Sequence, residues 1–422
     1  MGHMITGAAH PSRRLRAACL PLLLAFSLSG CAGRPEGVLI PTASAAAPGE
    51  EVDIFVATTR QPSEDAGILF SGERGQDLEA TAITVSIPPD ANRKIGEVQW
   101  PKRLPADPAK DFATVRVEPV QTEKGANRWL SQHLPPTKRV LVFVHGFNNR
   151  YEEAVYRFAQ IVHDSNAEAA PVLFTWPSRA SIFDYNYDKE SANYSRDGLE
   201  RVLDQIADDP QVADVVVLAH SMGSWLTVEA LRQMAIREGR VEPKIRNVIL
   251  ASPDLDVDVF GQQLETIGKD GPHFTLFVSR DDRALQLSRR ISGSVDRLGQ
   301  IDPTVEPYRS KFEKAGISVI DLTALESGDA LNHGKFAQSP QVVQLIGSRL
   351  LAGQEINTGG VALGDRLGAI ALGTAQTVGG VASATVSAPI AVFDPETRRT
   401  YSEQINRVGR SIENTIVSTV AQ

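Results

Sequence analysis

Val215-Val216-Val217-Leu218-Ala219-His220-Ser221-Met222-Gly223 is the stretch on which the rest of the chain depends. Its aliphatic run is too short for a buried helix, and helix formers follow from Trp225 to Glu238, so it reads as an interior parallel strand turning sharply into a helix. Ser221 sits on the turn. A strand-to-helix turn this tight strains the serine backbone, lifts its hydroxyl above the sheet and needs small residues two positions away on either side. Ala219 and Gly223 occupy those positions.

A serine hydroxyl is a weak nucleophile until a base takes its proton, and the base needs a third group to fix its tautomer. Downstream, the strand-like run Phe274 to Val278 is followed by Asp281 and Asp282, and the run Ile317 to Leu322 by a polar loop carrying His333. No other histidine follows a late strand. Serine, aspartate and histidine in that order, each after a strand, is the sequence of parts in the α/β-hydrolase fold. Upstream, Val140 to Val144 runs into His145-Gly146-Phe147-Asn148-Asn149. In that fold such a loop gives one backbone N–H to an oxyanion hole and the residue after the nucleophile gives the other. Those donors are expected at Phe147 and Met222, while His145 and His220 read as packing groups.

The surrounding chain alternates strands and amphipathic helices after Pro135-Pro136. Strands are expected at Arg139 to His145, Pro171 to Trp176 and Asn247 to Ala251. Helices are expected at Tyr151 to Asp164, around Leu199 to Ile206 and from Pro340 to Leu351. Repeated βα units imply a mainly parallel sheet covered on both faces, with ligands at the carboxyl ends of the strands. Before this region, Val52 to Thr58, Thr81 to Ile87, Ile95 to Trp100 and Phe112 to Val117 read as short strands of a β-rich layer. That layer either extends the main sheet or stands beside it.

The segments Val-Phe-Val-His-Gly-Phe-Asn-Asn, Phe-Thr-Trp-Pro-Ser, Tyr-Asp-Lys-Glu-Ser-Ala and Ala-His-Ser-Met-Gly together resemble the α/β-hydrolase superfamily, within it a bacterial branch of poorly characterised hydrolases. The resemblance covers about Val140 to Leu350 and reaches upstream to Asp53 to Arg60. It implies esterase-type or lipase-type hydrolysis through an acyl-enzyme, without a cofactor. Ala219 departs from the commoner glycine by one methyl group. The spacing usual in the superfamily favours Asp282 over Asp281 as the acid, with Asp254 a third choice. Trp176, Phe183, Tyr185 and Tyr187 lie after the strand preceding the serine strand, and Trp176 and Tyr187 are the expected substrate contacts, although aromatic clusters are more often core than pocket. The same triad would also serve an amidase or thioesterase, and a non-catalytic envelope-binding lipoprotein on this fold is the rival from another class.

The chain has 422 residues, 42% of them hydrophobic and 22% charged, as expected for a soluble globular body with additions. A net charge of -8 without a long basic block points away from nucleic acid. No spacing of histidines and carboxylates suggests a metal. Arg13, Arg14 and Arg16, then the apolar Ala17 to Leu28, form an export signal. Leu28-Ser29-Gly30-Cys31 resembles a bacterial lipobox, which implies cleavage before Cys31, lipidation of its thiol and a membrane anchor. Ala32 leans the destination towards the periplasmic face of the outer membrane rather than the inner membrane. The expected organisation is a signal at 1–31, a flexible linker at 32–50, a β-rich extension at 51–135, a catalytic domain at 136–353 and a Gly/Ala-rich tail with a terminal helix at 354–422. Within the tail, Leu367 to Phe393 carries no charge, and its small residues four apart suggest packing against a membrane surface or a second copy. The expected substrate is a small-molecule or lipid ester.

Overall fold

The computed structural model describes residues 36–42, 49–326 and 328–347. The expected export signal with Cys31 and the expected tail at 354–422 lie outside the described residues. Nine strands form one sheet: β1 (Glu50–Pro62), β2 (Phe70–Ile87), β3 (Ala113–Pro119), β4 (Arg139–Val144), β5 (Ala170–Thr175), β6 (Asp214–His220), β7 (Ile245–Ala251), β8 (His273–Val278) and β9 (Ser318–Asp321). Their spatial order is β3-β2-β1-β5-β4-β6-β7-β8-β9. From β1 through β9 along that order every pairing is parallel, and only β1-β2 and β2-β3 are antiparallel. The chain has an α/β-hydrolase fold, and the β-rich N-terminal layer extends its sheet through the parallel contact of β1 with β5.

Side chains alternate across a strand, so a strand covered on both faces must be apolar at every position. In β4, Val140, Val142 and Val144 enter one core cluster while Leu141 and Phe143 enter the other, and all five are buried. The first cluster is completed by α1 (Glu123–His133), α4 (Arg196–Asp208), α5 (Met222–Glu238) and α6 (Val257–Ile267), through residues such as Leu130, Leu203, Leu226 and Phe260. On the opposite face, α2 (Tyr151–Ser165) and α10 (Pro340–Leu345) bring Phe158, Ile161 and Val342. The shorter α3 (Tyr185–Tyr194), α7 (Arg283–Ile291), α8 (Tyr308–Ala315) and α9 (Lys335–Gln338) lie in the connections around the strand ends.

Two expectations need correction. The run Ile95 to Trp100 is not a strand. Val98 and Trp100 reach the core individually, Trp100 stacking on Tyr156 with ring centroids 5.1 Å apart, so their burial needs no ladder. The expected tether is also not uniformly loose: Val38 and Leu39 are buried, and the Val38 carbonyl accepts from the Tyr156 hydroxyl at 2.9 Å. Two aliphatic side chains suffice to seat that turn among Ala, Pro and Gly neighbours.

Candidate active site

Ser221 stands between β6 and α5 with φ 54° and ψ -124°, a conformation that costs a non-glycine residue energy and persists only where its surroundings enforce it. Here the Ser221 N–H donates to the Ala251 carbonyl at 2.9 Å, and the Ser221 carbonyl accepts from the N–H groups of Ser224 and Asp254. The need for small neighbours is geometric. A Cβ on Gly223 would lie 2.3 Å from the His145 carbonyl oxygen, and one on Gly146 would lie 2.8 Å from the Ser221 Cβ. The loop after β4 is therefore pressed directly against the serine turn.

His333 lies in the loop between β9 and α9. Its Nδ1 is 2.7 Å from Asp282 Oδ2. A carboxylate can only accept there, which places the proton on Nδ1 and leaves Nε2 as the basic nitrogen. Asp282 is fully buried at the start of α7, where its other oxygen accepts from the Leu285 N–H at 2.9 Å. Burial by itself lowers the His333 pKa, but the Asp282 charge and hydrogen bond, helped by Asp329 and Asp254, outweigh it and raise the value above the usual 6.5. The His333 carbonyl accepts from Ser252 Oγ at 3.2 Å and from His220 Nε2 at 3.3 Å, and the His220 and His333 rings lie 4.7 Å apart. Through His220, the residue preceding Ser221, the histidine loop is tied to the serine turn.

Asp281 faces away from the imidazole. Its two oxygens each lie 3.0 Å from Lys335 Nζ, and it also accepts from Asn332 Nδ2 at 2.8 Å. Lys335 is buried and donates as well to the carbonyls of Leu322 and Thr323. Asp254 is likewise engaged elsewhere, with the Tyr185 hydroxyl at 3.0 Å, Ser288 Oγ at 2.5 Å and the Arg297 guanidinium at 3.3 Å.

Phe147 and Met222 flank the serine turn, Met222 as the first residue of α5 and Phe147 in the β4 loop with its ring edge-on to Tyr185. That loop is held by residues that a hydrophobicity pattern does not single out. Arg60, at the end of β1, is fully buried and donates to the carbonyls of Asn149, Ser71 and Ser178, to Thr175 Oγ1 and to His145 Nε2. Burial lowers its pKa to about 10, so the guanidinium remains charged, balanced at longer range by Glu152 and Asp188. Asp188 accepts from Ser178 Oγ at 2.5 Å and from the backbone N–H groups of Arg179 and Asn148, clamping the β4 loop to the one after β5. His145 donates from Nδ1 to the Gly146 carbonyl at 2.8 Å and accepts on Nε2 from the Trp176 N–H. Burial, reinforced by Arg60, pushes its pKa down to about 3, which keeps it neutral. Their only cues in the sequence are their places in two segments that carry the resemblance, Arg60 at the end of Asp53 to Arg60 and Asp188 in Tyr-Asp-Lys-Glu-Ser-Ala.

The two expected substrate contacts are placed differently from that expectation. Trp176 is fully buried, stacked on His145 and donating from Nε1 to the His145 carbonyl at 2.8 Å, so it supports the loop from behind. Tyr187 turns towards β2: its hydroxyl lies 3.1 Å from Glu73, and Arg179 sits 3.6 Å over its ring. Among the described residues no group of three or more His, Cys, Asp or Glu could hold a metal ion, and no helix is long and apolar enough to cross a membrane.

A family model described as an alpha/beta hydrolase of unknown function matches residues 122–349. An uncharacterized protein of Nostoc sp. (strain PCC 7120) is 25% identical over 122 residues, which are 23% of this chain and 32% of that protein. The chain thus spans about a third of the length of this curated relative. Similar solved structures include the esterase of Pyrobaculum calidifontis, 11% identical over 65% of this chain and 82% of that one, with a TM-score of 0.32. Another is the carboxylesterase EstE1 from a metagenomic library, 11% identical over 74% and 92% with a TM-score of 0.33. A third is esterase 2 of Thermogutta terrifontis phosphorylated by paraoxon, 10% identical over 63% and 88% with a TM-score of 0.31.

Proposed function

The chain belongs to a family of α/β hydrolases of unknown function, and from that premise we propose that it is a serine hydrolase cleaving carboxylic ester bonds. Ser221 Oγ attacks the ester carbonyl carbon while His333 Nε2 takes the hydroxyl proton. The oxyanion accepts from the backbone N–H groups of Phe147 and Met222. On collapse the C–O bond to the alcohol breaks and His333 returns its proton to the departing oxygen, leaving an acyl group on Ser221. Water, deprotonated by the same imidazole, then releases the acid and restores the serine. Asp282 holds the Nδ1–H tautomer and stabilises the imidazolium in both halves.

The observation that carries this reading is the 2.7 Å contact of His333 Nδ1 with a fully buried Asp282. A buried carboxylate is retained against its desolvation cost only where partners hold it, and this one is held by an imidazole and a helix N-terminus. The test is labelling with a fluorophosphonate followed by turnover of short-chain esters. Stoichiometric labelling that disappears in Ser221→Ala supports the reading. An unlabelled, correctly folded wild type without ester turnover would leave a binding module instead.

The proposal extends to placement. The basic and apolar stretches before Leu28-Ser29-Gly30-Cys31 support an exported lipoprotein anchored through Cys31, on the periplasmic face of the outer membrane and facing lipid or small-molecule esters. Cys31→Ser should then accumulate as unprocessed precursor and take up no labelled fatty acid. Normal processing of that variant would reject the anchor.

A further inference from the structure

His333 rides on a loop with little apolar anchorage, since every residue from Gly328 to Leu331 is exposed. Polar contacts must therefore place it. Four converge on His333 itself: Asp282 accepts from Nδ1 at 2.7 Å, Asp329 accepts from the backbone N–H at 3.0 Å, and Ser252 Oγ and His220 Nε2 reach the carbonyl at 3.2 and 3.3 Å. Asp329 belongs to the same loop and moves with it. The two donors on the carbonyl are what tie the His333 peptide to the strand ends. Asp282 fixes one nitrogen of the imidazole, but the direction of Nε2 also depends on where the peptide holds Cα.

His220 is the last residue of β6 and pairs with Ala251, the neighbour of Ser252. Its ring fills the space between the loops. A Cβ on Gly146 would lie 3.0 Å from His220 Nδ1, and the rings of His333 and Phe336 each lie 4.7 Å away on centroids. A carbonyl oxygen only accepts, so the contact with His333 requires the proton of His220 on Nε2 and leaves Nδ1 bare. Burial, then the charge of His333, keeps the His220 pKa well below 6.5. A neutral ring does not repel an imidazolium forming on His333. His220 thus joins three parts: the loop that carries Phe147, the serine turn and the histidine loop.

We propose that His220 is a positioning residue: as the Nε2–H tautomer it holds the His333 carbonyl, and so sets the imidazole against the adjacent Ser221. That this hold serves catalysis rests on the ester reading; the hold itself does not. Two substitutions in the full chain separate it from packing. His220→Leu keeps an apolar side chain among Gly146, Phe336 and His333 but has no donor. His220→Gln packs less well there and offers an amide N–H near the place of Nε2. Packing alone favours leucine, and the hydrogen bond favours glutamine.

With folding checked by circular dichroism, His220→Leu should lower kcat for a short-chain ester by about 10²-fold with KM little changed. His220→Gln should regain about tenfold or more of that loss. A leucine variant as active as the glutamine one, or a loss confined to KM, overturns the proposal. A second readout needs no turnover. The His333 Nδ1 proton, bonded to Asp282, should give a far-downfield NMR signal that is missing in His333→Ala, lost in His220→Leu and kept in His220→Gln. If the wild type turns over no ester and takes no fluorophosphonate, the ester reading fails by itself, and this signal still decides whether His220 holds His333. If neither variant folds, ¹⁵N spectra of the wild-type histidines decide. His220 should be the Nε2–H tautomer and His333 the Nδ1–H tautomer, and a proton on His220 Nδ1 at neutral pH would refute the assignment.

Discussion

Asp281 and Asp282 are chain neighbours whose carboxylates diverge, Asp282 reaching His333 Nδ1 at 2.7 Å and Asp281 gripping Lys335 Nζ at 3.0 Å through both oxygens. One carboxylate orients the imidazole, and the other pins the segment that carries it. Removing each should have a distinct signature.

Asp282→Asn is expected to lower ester turnover by about 10⁴-fold with the fold intact, because an amide can favour the wrong tautomer and cannot stabilise an imidazolium. Asp281→Asn should instead act on stability, costing about 1–3 kcal/mol by leaving the buried Lys335 ammonium without its counter-charge. Urea denaturation checks this, and Asp281→Asn combined with Lys335→Met should recover much of the loss. A double variant no more stable than Asp281→Asn alone would mean that the pair is not what holds the loop.

Ser221→Ala and His333→Ala are each expected to reduce turnover of a short-chain ester by on the order of 10⁴ to 10⁶-fold, and the double variant by little more than either. In the proposed mechanism nucleophile and base act as one unit. Losses that multiply in the double variant would contradict a shared proton transfer.

The pH profile follows from the raised His333 pKa. The reaction needs the neutral imidazole, so kcat/KM should rise with pH through an apparent pKa above 6.5. In Asp282→Asn the charge and the charged hydrogen bond of Asp282 are lost while burial remains, so the acid limb should move to lower pH. A limb displaced upward, or unmoved, would show that another group controls it.

Arg60→Met should destabilise the protein by about 2–4 kcal/mol, since it deprives several buried acceptors and an imidazole of their donor at once. It should also reduce kcat by loosening the loop that carries Phe147. An unchanged urea midpoint with full activity would show that the loop holds its shape without the guanidinium.

The mainly parallel sheet was legible because β4 to β8 are short, largely apolar runs that alternate with helical segments. The elbow was legible because a tight turn demands small residues, and Gly223 has none of the space that a side chain needs. Buried charges were not. Arg60 and Lys335 carry polar side chains that a hydrophobicity pattern assigns to solvent, and only the three-dimensional convergence of carbonyl groups gives them a reason to be inside. The direction of Tyr187 was equally hidden, since its partners Glu73 and Arg179 come from separate connections. Helix α1 escaped notice because its buried apolar contribution rests on Trp129 and Leu130 alone, too few to establish a period.

The parallel contact of β1 with β5 bears on how the protein is made. Phe55 pairs with Val172, so a strand synthesised early must wait for one synthesised much later, with its edge open in the interval. Arg60 sits on that early strand, and its partners Asn149, Thr175 and Ser178 all belong to the later segment. The loop carrying Phe147 therefore gains its internal brace only when the N-terminal hairpin docks. A nascent chain would lack a finished Phe147 loop, which would delay the proposed hydrolysis until the whole sheet has closed.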